Sequence, residues 1–348
     1  MIFMSDTLTA ISANDTRAQR QLDRLLEQEG IRRDGNLDYT CGLFDGDWKL
    51  AATGSCFGNT IRCLAVDRDR QGEGLLNQIV SHLMEVQAQR GNTHLFLYTK
   101  PQSAKFFGDL GFYEIVRVDN LVFMENRRRG FSDYCAALEK TRREGTSSAI
   151  VMNANPFTLG HLHLAEKAAA ENDTVHLFVL SEEAGPIPFA VRGKLVREGT
   201  AHLSNVICHD SGPYIISSAT FPSYFLKDGD TVIRTHAALD LTVFGRLAPR
   251  LGVTRRYVGE EKASHVTALY NQEMVRRLPE FGIDCKVVPR LERDGRPVSA
   301  STVRQAIHDG RLEDIRSLVP ETTWNYFNSP EAGPVIQAIQ KTQEVIHY

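Results

Sequence analysis

Two domains are what this 348-residue sequence predicts: a small α+β domain over residues 1–126 and an α/β domain with a parallel sheet over residues 148–348, joined by a linker over 127–147. Three observations carry this. The chain is long enough to bury two separate cores. Its first third alternates short apolar runs with hairpin turns. From Ser148 onward the rhythm becomes strand, helix, strand, helix, as in a parallel sheet covered by helices on both faces. Composition is that of an ordinary globular protein, with 42% apolar and 24% charged residues.

In the first domain, Asn14 and Asp15 offer caps for a helix through Leu22, Leu25 and Leu26 to Gly30. Tyr39 to Phe44, the turn Asp45-Gly46-Asp47 and Trp48 to Cys56 read as a hairpin. A third strand, Thr60 to Val66, follows the Gly58-Asn59 turn. The loop Gln71 to Gly74 opens a helix through Leu75, Ile79 and Leu83. Strand His94 to Tyr98, helix Ser103 to Leu110 and strand Phe112 to Val118 complete it, near Met124. The charge run Arg127-Arg128-Arg129 and the polar stretch Glu139 to Ser147 read as a solvated linker helix.

In the second domain, strands are expected at Ala149 to Met152, Val175 to Leu180, Asn205 to Cys208, Arg256 to Val258 and Cys285 to Val288. Helices are expected at His161 to Ala170, Phe189 to His202, Thr235 to Leu251, His265 to Leu278 and Ser301 to Asp309. The tail from Glu331 reads as a peripheral helix.

The bulk numbers narrow the function. A net charge of -3 gives no reason to expect nucleic acid or an anionic membrane as partner. No apolar run approaches the roughly eighteen residues that span a bilayer. Met1 to Thr16 lacks the basic-then-apolar layout of an export signal, so a cytoplasmic location is expected. Six scattered cysteines without a C-x-x-C read as free thiols, with neither zinc nor disulfides. His161 and His163 are two apart and point to different sides of a helix, so no metal site is expected there.

The chemistry concentrates where the first parallel strand ends. Ala149 to Met152 runs into Asn153-Ala154-Asn155-Pro156-Phe157-Thr158-Leu159-Gly160-His161 and then a helix. Ligands of parallel sheets bind beyond the carboxyl ends of strands, where helix N–H groups and the helix dipole attract phosphate. Gly160 permits close approach of a phosphate to the backbone. Thr158 and His161 can face the same phosphate and donate to oxygens that gain charge in the transition state. A second helix start, Val298-Ser299-Ala300-Ser301-Thr302-Val303-Arg304, supplies hydroxyls and a guanidinium, with Ser301 as the expected cap.

The pair T-L-G-H and V-S-x-S-x-x-R resembles the H-x-G-H and I-S-x-S-x-x-R motifs of the nucleotidyltransferase superfamily, with Thr158 in place of the first histidine. The longer strings Asn153 to Gly160, Tyr214 to Ser217, Thr220 to Lys227 and Tyr257 to Glu261 resemble the citrate lyase ligase family over nearly the whole chain. The resemblance implies a Rossmann-like nucleotidyltransferase domain that turns acetate and ATP into acetyl-adenylate and pyrophosphate. The acetyl group would then pass to the thiol of a phosphoribosyl-dephospho-coenzyme A arm on the citrate lyase acyl carrier subunit. Magnesium would enter bound to ATP. Thr158, His161 and Arg304 would be catalytic; Asn155, Phe157, Gly160, Gly259, Glu260, Ser299, Ser301 and Thr302 would bind ATP. Ser217, Thr220, Tyr224, Lys227 and Arg192 are candidates for the acyl group or carrier arm, while Asp240 reads as structural.

The first domain's element order and its Gln71 to Gly74 turn resemble the GNAT acetyltransferase fold, whose glycine loop holds the pyrophosphate of acetyl-coenzyme A. Here Asp69 stands where that pattern has Gln or Arg, which opposes a pyrophosphate. Docking of the carrier arm and a purely structural role are the two expected uses. Two other functions fit the second domain: an adenylyltransferase acting on a phosphorylated small molecule such as phosphopantetheine, and a nucleotide-sensing regulatory protein without turnover.

Overall fold

The computed structural model describes residues 6–183, 185–215, 221, 229–260 and 265–342. Among these, residues 6–130 with 229–235 form one compact unit, and 131–183, 185–215, 221, 236–260 and 265–342 form another. No helix among the described residues is long and apolar enough to cross a membrane.

The first unit is built on β1 (Thr7–Ala10), α1 (Thr16–Gln28), β2 (Tyr39–Phe44), β3 (Leu50–Phe57), β4 (Thr60–Val66), α2 (Leu75–Gln89), β5 (Phe96–Thr99), α3 (Ala104–Asp109), β6 (Tyr113–Val118) and β7 (Leu121–Glu125). The strands form one sheet in the order β1-β2-β3-β4-β5-β7-β6. All neighbours are antiparallel except β4 and β5. This is the GNAT-like α+β arrangement. Asp15 rather than Asn14 caps α1, its carboxylate accepting from the N–H groups of Arg17 and Ala18 at 3.1 and 2.9 Å.

A bulge lets this sheet bury both faces. Cys63 has φ 50°, and the β3–β4 register shifts between Thr53 and Ser55. The extra residue reverses the alternation of β4. Ile61 therefore faces Leu75, Ile79 and Leu83 of α2, whereas Cys63 and Ala65 face Leu22, Leu25 and Leu26 of α1. Two strands, β1 and β7, were not expected from the sequence; β7 returns from β6 with Val118 paired to Leu121.

The second unit holds α4 (Gly130–Glu139), β8 (Ser147–Met152), α5 (Leu159–Glu171), β9 (Thr174–Val179), α6 (Phe189–Gly199), β10 (Val206–Asp210), the later part of α7 (Gly229–Leu247), β11 (Val253–Gly259), α8 (His265–Arg277), β12 (Asp284–Val288), β13 (Glu292–Arg293), β14 (Arg296–Pro297), α9 (Ala300–His308), α10 (Glu321–Phe327) and α11 (Gly333–Lys341). Its main sheet has the order β10-β9-β8-β11-β12, every pair parallel. Strand alternation divides the core. Ile150, Met152, Val175 and Leu177 meet α5, α6 and α9–α11 on one face. Ala149 and Phe178 meet α4, α7 and α8 on the other.

Two expectations are corrected here. The segment read as a solvated linker helix contains α4, whose Cys135 and Leu138 are buried against Ala149, Phe178 and Phe244. The tail helix is not peripheral: Val335 and Ile339 of α11 lie in the core with Val303 and Ile307. Helix α7 begins at Gly229, earlier than expected, and its regular turns end at Leu247, just before Pro249.

Candidate active site

The order of the parallel sheet reverses between β8 and β11, which leave the sheet side by side while the chain departs in opposite directions. The crevice beyond their carboxyl ends is where such sheets bind ligands. It receives the Asn153–His161 segment after β8 and Gly259-Glu260 after β11.

Thr158 is the N-cap of α5, with extended backbone (φ -120°, ψ 168°). Its hydroxyl accepts from the His161 N–H at 3.4 Å, and its own N–H donates to His161 Nδ1 at 3.1 Å, closing a reciprocal capping box. The Thr158 hydroxyl also lies 2.9 Å from His161 Nδ1. A ring nitrogen that accepts from an amide carries no proton, so in the neutral ring the proton sits on Nε2. Burial, with a smaller contribution from the Arg290 guanidinium, brings the His161 pKa down to about 4. His161 is thus neutral near pH 7, with Nε2–H as a donor. The fully buried Phe157 ring stacks on the imidazole (5.9 Å, 16°) and packs against Gly199, where a Cβ would lie 2.4 Å from it. Phe157 supports His161 from behind, so its side chain is not the ATP contact expected.

The structure gives Gly160 a packing role beside the expected phosphate approach. A Cβ there would lie 2.9 Å from the Val298 carbonyl oxygen. The close neighbour is the strand entering the second motif, and the missing side chain lets α5 and that strand touch. The cap of α9 is Ser299, not Ser301. Ser299 is extended (φ -133°, ψ 153°), and its hydroxyl accepts from Thr302 N–H at 3.1 Å. The Ser301 and Thr302 hydroxyls lie 2.9 and 2.7 Å from it.

Both arginines expected at the site, Arg304 and Arg192, are buried. Arg304, 3% exposed, donates from Nη1 to the Asn155 carbonyl at 2.5 Å, tying α9 to the loop after β8. Arg192 was expected to reach the acyl group or carrier arm, and its geometry corrects this. It is 1% exposed and donates to the carbonyls of Ile187, Asn153, Leu180 and Glu182 and to the Asn153 side-chain oxygen. Its donors hold the loops after β8 and β9 together. Asn155 contrasts with both: it is 2% exposed, and neither Nδ2 nor Oδ1 has a partner among the described residues.

Across the crevice, Glu260 N–H donates to Val288 O at 2.8 Å, and Arg290 Nε donates to Glu260 O at 2.8 Å. Gly259 O accepts from Asn271 Nδ2 at 3.1 Å. Arg290 was passed over in the sequence; its position just past the carboxyl end of β12 is the signal that marks it. Ser217, Thr220, Tyr224, Lys227 and Glu261 lie outside the described residues. Asp240, 1% exposed, accepts from Tyr270 Oη and lies 3.8 Å from Arg256.

In the first unit, nothing approaches within 4 Å of where Cβ atoms would stand at Gly72 and Gly74. Asp69 is exposed beside them. Its flanking arginines are paired with carboxylates, Arg68 with Glu29 at 3.1 Å and Arg70 with Asp6 at 3.0 Å and Glu73 at 2.5 Å.

Residues 147–327 match the family model described as the citrate lyase ligase C-terminal domain. The chain is 37% identical to the citrate (pro-3S)-lyase ligase of Klebsiella pneumoniae, covering 90% of this chain and 93% of that protein. It is 36% identical to the enzyme of the same name from Escherichia coli K12, covering 94% and 95%. The Haemophilus influenzae protein of that name is 34% identical, covering 88% and 93%. A solved putative acyl-CoA N-acyltransferase from Klebsiella pneumoniae covers 34% of this chain and 95% of its own at 16% identity, with a TM-score of 0.29. With the family model over residues 147–327 and these relatives aligned along most of their length, the chain belongs to the citrate lyase ligase family.

Proposed function

We propose that this protein uses ATP to acetylate the carrier thiol of citrate lyase through acetyl-adenylate. The carboxylate oxygen of acetate attacks the α-phosphorus of ATP, and the bond to the bridging oxygen breaks to release pyrophosphate. The thiolate of the phosphoribosyl-dephospho-coenzyme A arm then attacks the acetyl carbonyl, and AMP leaves with the carboxyl oxygen's electron pair. No Ser or Cys nucleophile is needed, because phosphoryl-type transfer asks mainly for positioning and charge stabilisation.

The observation that carries this reading is the neutral His161, its proton directed to Nε2 by the Thr158 N–H at 3.1 Å. A neutral donor strengthens its bond as phosphate oxygens gain charge, without holding the ground state as tightly as a cation would. The α5 and α9 amino termini, brought together at Gly160 and Val298, add backbone donors for phosphate. The buried Asn155 amide, with both polar ends unpartnered, fits a polar ligand at this crevice. Magnesium would arrive on the phosphates of ATP. Ser299, Ser301 and Thr302 would contact phosphate, and Gly259 and Glu260 would border the adenosine. Residues 1–126 would form a carrier-docking domain, and the reaction would take place in the cytoplasm.

The test is ATP–pyrophosphate exchange by the isolated protein with no carrier present. Exchange should depend on acetate. Exchange that ignores acetate and responds to a phosphorylated acceptor would point instead to an adenylyltransferase, and binding of ATP without any exchange would point to a sensor.

A further inference from the structure

Between β12 and α9 the chain makes a hairpin that the proposed chemistry has not used. Strands β13 and β14 turn through Asp294 and Gly295, with φ 52° and 71°. Positive φ at both central positions suits a two-residue hairpin turn, which fixes register. Arg293 therefore stands directly opposite Arg296, and Glu292 opposite Pro297. Directly opposed residues on one sheet face approach closely, and like charges there are unfavourable. Both arginines are exposed, and neither has an ion pair among the described residues. Glu292 cannot relieve them, because strand alternation puts it on the opposite face.

The same alternation places Arg293 and Arg296 on the face that carries Leu291 and the buried Val298, whose N–H donates to Leu291 O at 2.9 Å. Val298 is anchored between the starts of α5 and α9: its carbonyl oxygen lies 2.9 Å from the position a Gly160 Cβ would take, and the next residue, Ser299, caps α9. The hairpin thus grows from the strand held between the first turns of α5 and α9. At its other root, Arg290 grips the Glu260 carbonyl.

We infer that Arg293 and Arg296 form a clasp for the β- and γ-phosphates of ATP, the tail that leaves as pyrophosphate. An anion between two guanidinium groups turns an unfavourable pair into a favourable triad, and the planar fork of arginine matches phosphate oxygens. The inference rests on the ATP reading above. It assigns the clasp no contact with AMP.

Calorimetric titration of the full chain with Mg-ATP, inorganic pyrophosphate and AMP tests it. The Arg293→Ala/Arg296→Ala protein should bind ATP and pyrophosphate about tenfold or more weakly, the scale of a charged hydrogen bond, and AMP within about twofold. Arg293→Lys/Arg296→Lys should recover part of the loss. The alanine protein should melt no earlier than wild type, since it loses a repulsion rather than a contact. ATP and pyrophosphate affinities unchanged from wild type in the alanine protein, or a loss shared by AMP, overturn the clasp. So does normal acetate-dependent exchange with only the transfer to carrier slowed, which would assign the arginines to the phosphates of the arm. Wild-type protein that binds neither ATP nor pyrophosphate sinks the ATP reading itself, and the clasp with it.

Discussion

Replacing His161 with alanine removes two things that the structure allows to be separated. One is the Nε2–H donor; the other is the acceptor for Thr158 N–H, which spans 3.1 Å in the capping box. Loss of a donor that acts in the transition state costs about 3–4 kcal/mol, or roughly a hundred- to a thousandfold in kcat. Loss of a capping partner costs about 1 kcal/mol of stability and leaves kcat nearly intact. The two are read independently, by acetate-dependent ATP–pyrophosphate exchange and by denaturant unfolding of variants with matched circular dichroism. The His161 pKa of about 4 adds a second readout. The neutral donor is the working form, so kcat should show no acid limb from His161 between about pH 5.5 and 8. Only as pH falls toward 4 does Nδ1 take a proton and give up the Thr158 N–H. A variant keeping more than about a tenth of wild-type kcat would refute the reasoning, since that falls well short of a lost transition-state donor. An acid limb near pH 6.5 that vanishes with His161 would refute the tautomer argument.

Gly160→Ala places a methyl 2.9 Å from the Val298 carbonyl oxygen, a backbone atom that cannot swing aside, and 3.5 Å from the Thr158 hydroxyl. It should cost about 1–3 kcal/mol of stability and lower exchange by spreading the two motifs, so an unchanged melting midpoint would contradict the contact. Arg192→Met should destabilise by about 3 kcal/mol or more by leaving several loop carbonyls unpaired; a fully stable variant defective only in transfer to the carrier would restore the arm-binding role. His176 and His209 are buried, with Nδ1 and Nε2 2.9 Å apart, and burial brings both pKa values down to about 4 from 6.5. Because the folded pKa values are depressed, their stabilisation is complete above about pH 6.5 and is lost as pH falls toward 4. One such histidine implies a loss of roughly 2 kcal/mol between pH 7 and 5. Urea unfolding at the two pH values measures it, and His176→Gln should remove one histidine's share of the difference, leaving that of His209.

The parallel sheet was legible because its strands are compact apolar runs: β8 and β9 begin within two residues of the expected positions. The elements missed share a cause, which is a weak pattern beside a loud one. In α4 the positions Phe131, Tyr134, Cys135 and Leu138 follow the i, i+3, i+4, i+7 spacing of a buried helix face. The arginine run before it and the charged stretch after it disguised the helix as a linker. In β1, four residues without a long apolar run gave no strand signal, and the strand is fixed by its register with β2 instead. The misplaced cap of α9 has a similar origin. Ser299 and Ser301 are equally good capping residues, and the choice between them follows from which one meets the N–H three residues on.

The site was legible where chemistry and spacing coincide, and illegible where one residue type serves two purposes. Thr158 and His161, three apart at a helix start, can hardly avoid meeting. An arginine near a helix start suits a phosphate, but its five donors suit a cluster of loop carbonyls equally well. Arg192 spends its donors in the second way, and at least one Arg304 donor is spent so too. Sequence spacing does not reveal how many carbonyls a folded loop turns inward. The consequence reaches the mechanism. Arg192 builds the rim of the crevice, so it supplies no charge to a polyanionic substrate directly. In the proposed reaction the compensation would come from the neutral donors of two helix starts, from magnesium carried by the nucleotide, and from arginines other than Arg192. Arg293 and Arg296, opposed across a hairpin rooted between those helix starts, meet that requirement.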